Sequence, residues 1–162
     1  MREFTISFGG TTVTGTSTAI WVNPAGAPNP NIEFLRFWLG QSANATSAQQ
    51  RVQLATQVTS FPTLTTFTPV KLKPSDPNAS VLTGNTSGAA GTVGINASAE
   101  GGGAKTSVWE DTFNVLNGWL HVPTPAETRV MPAGFSSGLS VFFPTGPATL
   151  TNWAAGLVYR EV

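Results

Sequence analysis

The chain has 162 residues, a formal net charge of zero and only 10% charged side chains, well under the roughly 25% of an ordinary soluble domain. It has no cysteine, which excludes disulfides, thiolate nucleophiles and zinc–thiolate sites. Its eight basic residues are scattered, so it lacks the clustered cations that nucleic acid or an anionic membrane surface demands, and no apolar run reaches the length of a bilayer span.

The opening MREFTISFGG has no apolar stretch of the signal-peptide kind, so no secretory leader is expected. Within it Phe4, Ile6 and Phe8 alternate with polar residues, the period of a half-buried strand. The β-branched run TTVTGTSTAIWV follows and ends at Val22. NPAGAPNPN, residues 23–31, carries three prolines and reads as a loop. IEFLRFWLGQ, residues 32–41, is apolar at both parities and predicts a central strand covered on both faces. SANATSAQQ is a loop or one helical turn. RVQLATQV, residues 51–58, alternates, with Val52, Leu54 and Val58 expected inward and Arg51, Gln53 and Gln57 outward.

One or two strands are expected between residues 61 and 73, cut by Pro62 and Pro69. Residues 74–103 contain no aromatic side chain and are rich in Gly, Ala, Ser, Thr and Asn. This reads as a long loop, with short strands near 80–82 and 92–97. Residues 106–116 and 119–122 flank Asn117-Gly118, the strongest short hairpin signal, because both central residues of a type I′ turn need positive φ. Short strands at 128–131, 139–143 and 155–162 complete the pattern, with a turn at Pro132-Ala133-Gly134. Strands every eight to twelve residues predict a single all-β domain over residues 1–162, a jelly-roll-like β-sandwich.

Few residues invite chemistry. His121, the single histidine, shares a strand face with Trp119 but has no second histidine or neighbouring nucleophile in sequence; it reads as an ordinary strand residue. Glu110-Asp111 is the one adjacent acidic pair, and neighbouring strand residues point to opposite faces. The pair therefore cannot form the facing dyad of a glycosidase. Glu100-Gly-Gly-Gly-Ala-Lys105-Thr106 departs from the phosphate-loop spacing and reads as a flexible hairpin tip. No catalytic residue, cofactor site or metal site is assigned, and no enzyme activity is expected. The five tryptophans suit a core, with one or two left for an interface or a sugar-stacking surface.

The C-terminal half runs from an aromatic-rich strand through Asn117-Gly118-Trp119, Val122-Pro123-x-Pro125 and Glu127. Val130-Met131-Pro132-Ala133-Gly134 follows, and the half closes on Ala155-Gly156-x-Val158-Tyr159-x-Glu161. With the earlier NATSAQQRVQLA, this resembles the small β-rich virion proteins of tailed bacteriophages. The resemblance implies a capsid decoration (cement) protein on the virion surface. It further implies binding to the major capsid protein as a homotrimer, with no nucleic acid and no membrane. The residue 74–103 loop would then span subunits. An N-terminal arm within residues 1–10 would add a strand to a neighbour, making Arg2, Phe4, Ile6 and Phe8 the contact residues. The alternative expectation is a carbohydrate- or receptor-binding β-sandwich of a phage tail or fibre.

Overall fold

The structure, a computed structural model, describes residues 2–15, 17–26, 30–42 and 46–162. Met1 of the expected arm, and parts of the loops expected at 23–31 and 42–50 (with the Asn44 of NATSAQQ), lie outside these. The described residues form thirteen strands and no helix. In chain order they are β1 (Arg2–Thr11), β2 (Thr18–Asn23), β3 (Ile32–Gln41), β4 (Gln49–Gln57), β5 (Thr63–Thr66), β6 (Val70–Lys71) and β7 (Thr83–Gly84). Then follow β8 (Thr92–Ala99), β9 (Lys105–Asn114), β10 (Trp119–His121), β11 (Arg129–Met131), β12 (Gly138–Phe142) and β13 (Trp153–Glu161).

Two sheets pack face to face. The first runs β10-β3-β13-β1-β6, with β11 also on β3; the second runs β5-β8-β2-β12-β4-β9, with β7 on β8. All pairings are antiparallel except the two-residue β7·β8 contact. The chain is therefore an all-β sandwich. Its core interleaves Phe4, Ile6, Phe34, Phe37, Leu39, Leu157 and Tyr159 of the first sheet with Ile20, Val22, Val52, Leu54, Val93, Leu139 and Val141 of the second. Alternation delivers these side chains to one face of each sheet.

The central strand β3 shows how a one-sided pattern comes to look two-sided. Val158 of β13 faces Arg36 while Tyr159 faces Phe34, so Leu35 is an extra residue in a bulge. The bulge switches parity: Ile32 and Phe34 point inward before it, Phe37 and Leu39 after it. On the outer face Trp38 lies against Gly156, where a Cβ would come within 1.9 Å of its ring. The Arg36 guanidinium sits 5.3 Å from the centre of that ring.

The expected N-terminal arm is corrected. β1 belongs to the first sheet, bonded to β13 from Arg2↔Glu161 to Phe8↔Ala155 and, at Phe4 and Thr5 only, to β6. Phe4 and Ile6 are fully buried in the chain's own core, Phe8 is half-buried against it, and Phe4 stacks on Tyr159 at 5.6 Å. Arg2 pairs with the buried carboxylate of Glu161 at 2.8 Å. The alternation of apolar residues signals burial, and this sandwich supplies that burial itself.

Within residues 74–103 the strand expected near 92–97 is present as β8, which lies between β5 and β2, while residues 80–82 form no strand. Gly94 of β8 has its place because Leu64 packs 2.7 Å from where its Cβ would stand. Part of the same stretch covers the outer face of the second sheet, where the Trp21 indole donates to the carbonyl of Gly88 at 3.0 Å.

Two expected hairpins are crossovers. β9 pairs with β4 in the second sheet and β10 with β3 in the first, so Asn117-Gly118 carries the chain from one sheet to the other. Gly118 alone has positive φ, +69°; a type I′ turn needs two such residues. The Asn114 side chain shapes the turn instead, accepting from the Leu116 amide at 3.0 Å. Residues 100–104 likewise do not tip a hairpin, because β8 and β9 are not neighbours. They are packed: a Cβ on Gly101 or Gly103 would strike the Ser60 or Thr59 carbonyl oxygen at 1.9 and 1.7 Å.

That crossover explains a further difference. Gln57 is fully buried and Val58 is exposed, the reverse of expectation. β4 ends at Gln57, whose amide donates to the carbonyls of Ser60, Thr59 and Glu100 and accepts from Lys105. Loops cover both faces of the sheet at this end, so alternation stops reporting burial there.

Candidate interaction surface

Sandwich edges are where backbone donors and acceptors remain unused. On one side of the molecule the edge of the first sheet is interrupted. β10 pairs with residues Phe37 to Leu39 of β3 and β11 with Ile32 to Phe34. The two run along the same flank of β3, separated by an excursion that carries Pro123 and Pro125. Glu127 closes the excursion by accepting from the Thr124 hydroxyl at 2.7 Å and its amide at 3.3 Å, which holds its carboxyl below the usual range.

On the same side the second sheet ends in β9, ten residues long and paired only with β4. A bulge near its start leaves Val108 between Leu54↔Trp109 and Ala55↔Ser107. From Trp109 to Asn114 the pairing with β4 is unbroken. Glu110 is bonded to Arg51 and Gln53 of β4, which lowers its carboxyl. Asp111 accepts from the Trp119 indole at 3.1 Å. The two carboxylates thus leave the strand on different faces, as the sequence predicts, and each is engaged within the chain.

Where the two edges meet, Trp109 packs 4.5 Å from His121, which also stacks nearly parallel on Trp119 at 5.9 Å. Trp119 and His121 share a face, as expected, while Leu120 points outward and is 65% exposed. Burial lowers the His121 pKa, and the charges of Glu127 and Asp111 only partly restore it. The small cleft here, ≈ 60 Å³, is lined by Phe37, Leu54, Val108, Trp109, His121 and Arg129, among others. It has room for about two water molecules, far below a ligand pocket. Among the described residues no three potential metal ligands come together.

Of the tryptophans, Trp21, Trp153 and Trp119 are buried and Trp38 is half-buried; Trp109 is 41% exposed. Leu116, Leu120, Val122 and Val130 are exposed on or beside the same two short strands. The exposure of these apolar residues on two neighbouring edges escaped the sequence reading, which placed β9 and β10 in one hairpin. The signal for it was present: KTSVWEDTFN has three charged residues and few large apolar ones, the composition of an edge strand.

On the opposite side a hollow of ≈ 290 Å³ lies beside Pro69, Ser80 and Leu82. The Ser80 hydroxyl donates to Glu161 at 2.6 Å and accepts from the Tyr159 phenol, also at 2.6 Å. Burial pushes the phenol far above its ordinary pKa, which keeps it a donor. This network ties residues 80–82 to the terminal strands, and its groups are consumed by one another.

An all-β sandwich that ends on one side in the long edge strand β9, with exposed apolar residues on the neighbouring β10–β11 edge, is the class of protein defined here. No family model matches the chain, and comparisons with curated proteins and with solved structures give no match either.

Proposed function

We propose that this chain is a structural protein of a bacteriophage particle, of the decoration type. It adheres to the assembled capsid surface as a homo-oligomer and bridges major capsid subunits. The observation that carries this reading is the exposure of Leu120, Val122 and Val130 along the β10–β11 edge, with Trp109 exposed on the neighbouring edge strand β9. Large apolar side chains left exposed at sandwich edges suit a contact site. The likeness of the C-terminal half to phage virion proteins supports it, and the jelly-roll form of the sandwich belongs to the same proposal.

The mechanism is mass action. A protein that binds the assembled shell and not its loose subunits stabilises the shell by an amount set by affinity and concentration. Repetition over the particle adds avidity, so each contact can be modest. Quantitative mass spectrometry of particles purified from the encoding virus tests the reading. Copies in a fixed ratio to the major capsid protein are expected; absence from the particle overturns it.

The second reading, a glycan- or receptor-binding domain of a tail or fibre, is favoured by the exposed indole of Trp109 beside Arg129. The cleft is too small to enclose a sugar ring, so the sugar would have to stack on the outside. A few copies per particle, with binding on a glycan array, would select this reading.

A further inference from the structure

Natural sandwiches protect their edges with outward charges, prolines, bulges or very short strands, because an open edge pairs with whatever strand it meets. Three of the four edges here follow that rule. Pro123 and Pro125 split the β10–β11 edge and β5 has four residues; β6 has two and covers β1 only at Phe4 and Thr5, and β1 itself is broken by a register shift beyond Phe8. β9 is the exception. It has ten residues and no proline, and its bulge is confined to Val108. Its charges are engaged within the chain: Lys105 pairs with Glu100 at 2.9 Å, Glu110 with Arg51, and Asp111 with the Trp119 indole and with the Thr112 amide at 2.7 Å, a bond that pairing at Thr112 exchanges for one to the second copy.

We infer that β9 joins two copies of this chain, pairing antiparallel with β9 of the second copy so that the second sheet runs on across a two-fold axis. An antiparallel strand pair about such an axis sets each residue against its mirror position, so the sequence itself must be self-compatible. Centring on Thr112 meets that condition. Thr112 faces its own copy, Glu110 faces Asn114, Asp111 faces Phe113, and Trp109 faces Val115. Centring on Glu110 or Asp111 would instead set like carboxylates against each other, which destabilises a strand pair. The Thr112 register also covers the exposed Trp109. The contact is closed, since one edge per copy is used up and no open filament follows.

The inference needs no shell, so it stands or falls apart from the proposed function. It gives pairs, where the resemblance to decoration proteins implies threes. Sedimentation velocity of the purified chain reads the difference, with Thr112→Lys and Thr112→Cys as variants. Thr112 is exposed, so neither substitution disturbs the core. The wild type is expected at twice the 16.9 kDa chain mass. Thr112→Lys sets two ammonium groups across the axis and should raise the dissociation constant by about tenfold or more. The chain has no other cysteine, so Thr112→Cys, treated with oxidised glutathione as the two-electron acceptor, should form a disulfide-linked pair; opposed residues of an antiparallel ladder lie within bridging distance. Should Thr112→Lys fail to fold, the cross-linking result decides alone. A wild type at the mass of one chain at about 100 μM, a mass of three chains, or a Thr112→Cys protein that does not cross-link overturns the inference.

Discussion

Replacing Phe4 by alanine separates a core strand from a free arm. Phe4 is fully buried, stacked on Tyr159, and carried by a strand bonded on both sides. Deleting a buried phenyl ring costs about 3–5 kcal/mol, through lost transfer free energy and the cavity left behind. The size of the chain converts this to temperature. With an unfolding entropy of about 2.1 cal/mol/K per residue over 162 residues, the midpoint should fall by about 9–15 °C. Urea denaturation followed by tryptophan fluorescence gives the free energy, and thermal circular dichroism gives the midpoint. Phe8→Ala, at a half-buried position near the end of the β1·β13 register, should cost visibly less. A Phe4→Ala protein within about 1 kcal/mol of wild type would refute the reasoning, since surface and arm substitutions fall in that range.

Three further outcomes follow from local geometry. Gly103→Ala should destabilise by at least about 1–3 kcal/mol, the cost of overpacking, because its Cβ would meet the Thr59 carbonyl at 1.7 Å; Gly102→Ala, with nothing within 4 Å, should change stability by no more than about 0.5 kcal/mol. Equal effects in urea titrations would contradict the packed crossover. Asn117→Ala should be nearly silent, while Gly118→Ala, at φ +69° and with the Leu39 carbonyl 3.0 Å from the new Cβ, should cost about 1 kcal/mol or more. A hairpin turn of type I′ would penalise both. The His121 imidazole, held below 6.5 by burial, should titrate by NMR below that value. The unfolded chain then binds its proton at higher pH than the folded one, so stability is full above about 6.5 and declines as pH falls through the folded pKa. His121→Gln should flatten this slope, and a midpoint at or above 6.5 would count against the site as described.

The two sheets were legible because their interior strands bury one face and announce it by alternation, as Phe4, Ile6, Val52 and Leu54 do. Three features were not. A bulge is a single extra residue, and Leu35 looks like any other apolar residue until β13 is laid beside it. Partner choice is non-local: Asn117-Gly118 carries a hairpin signature, yet Trp119 pairs with Leu39 of β3 rather than returning along β9. Small residues hide a strand's place in the sheet: the strand expected near 92–97 is β8, but its Gly94 and Ala97 are buried by neighbours and not by their own bulk, so its interior position did not show. The open edge of β9 and the exposure of Trp109 depend on both sheets' strand orders and became visible only with them.

The central claim is that this chain acts by adhesion to a shell. The most direct measurement adds the purified protein to shells made without it, then follows co-sedimentation and resistance to heat. Saturable binding at a fixed ratio to capsid subunits, with a raised disruption temperature, is the predicted result. Protein that remains in the supernatant at every concentration, over shells no more resistant than before, would contradict the claim.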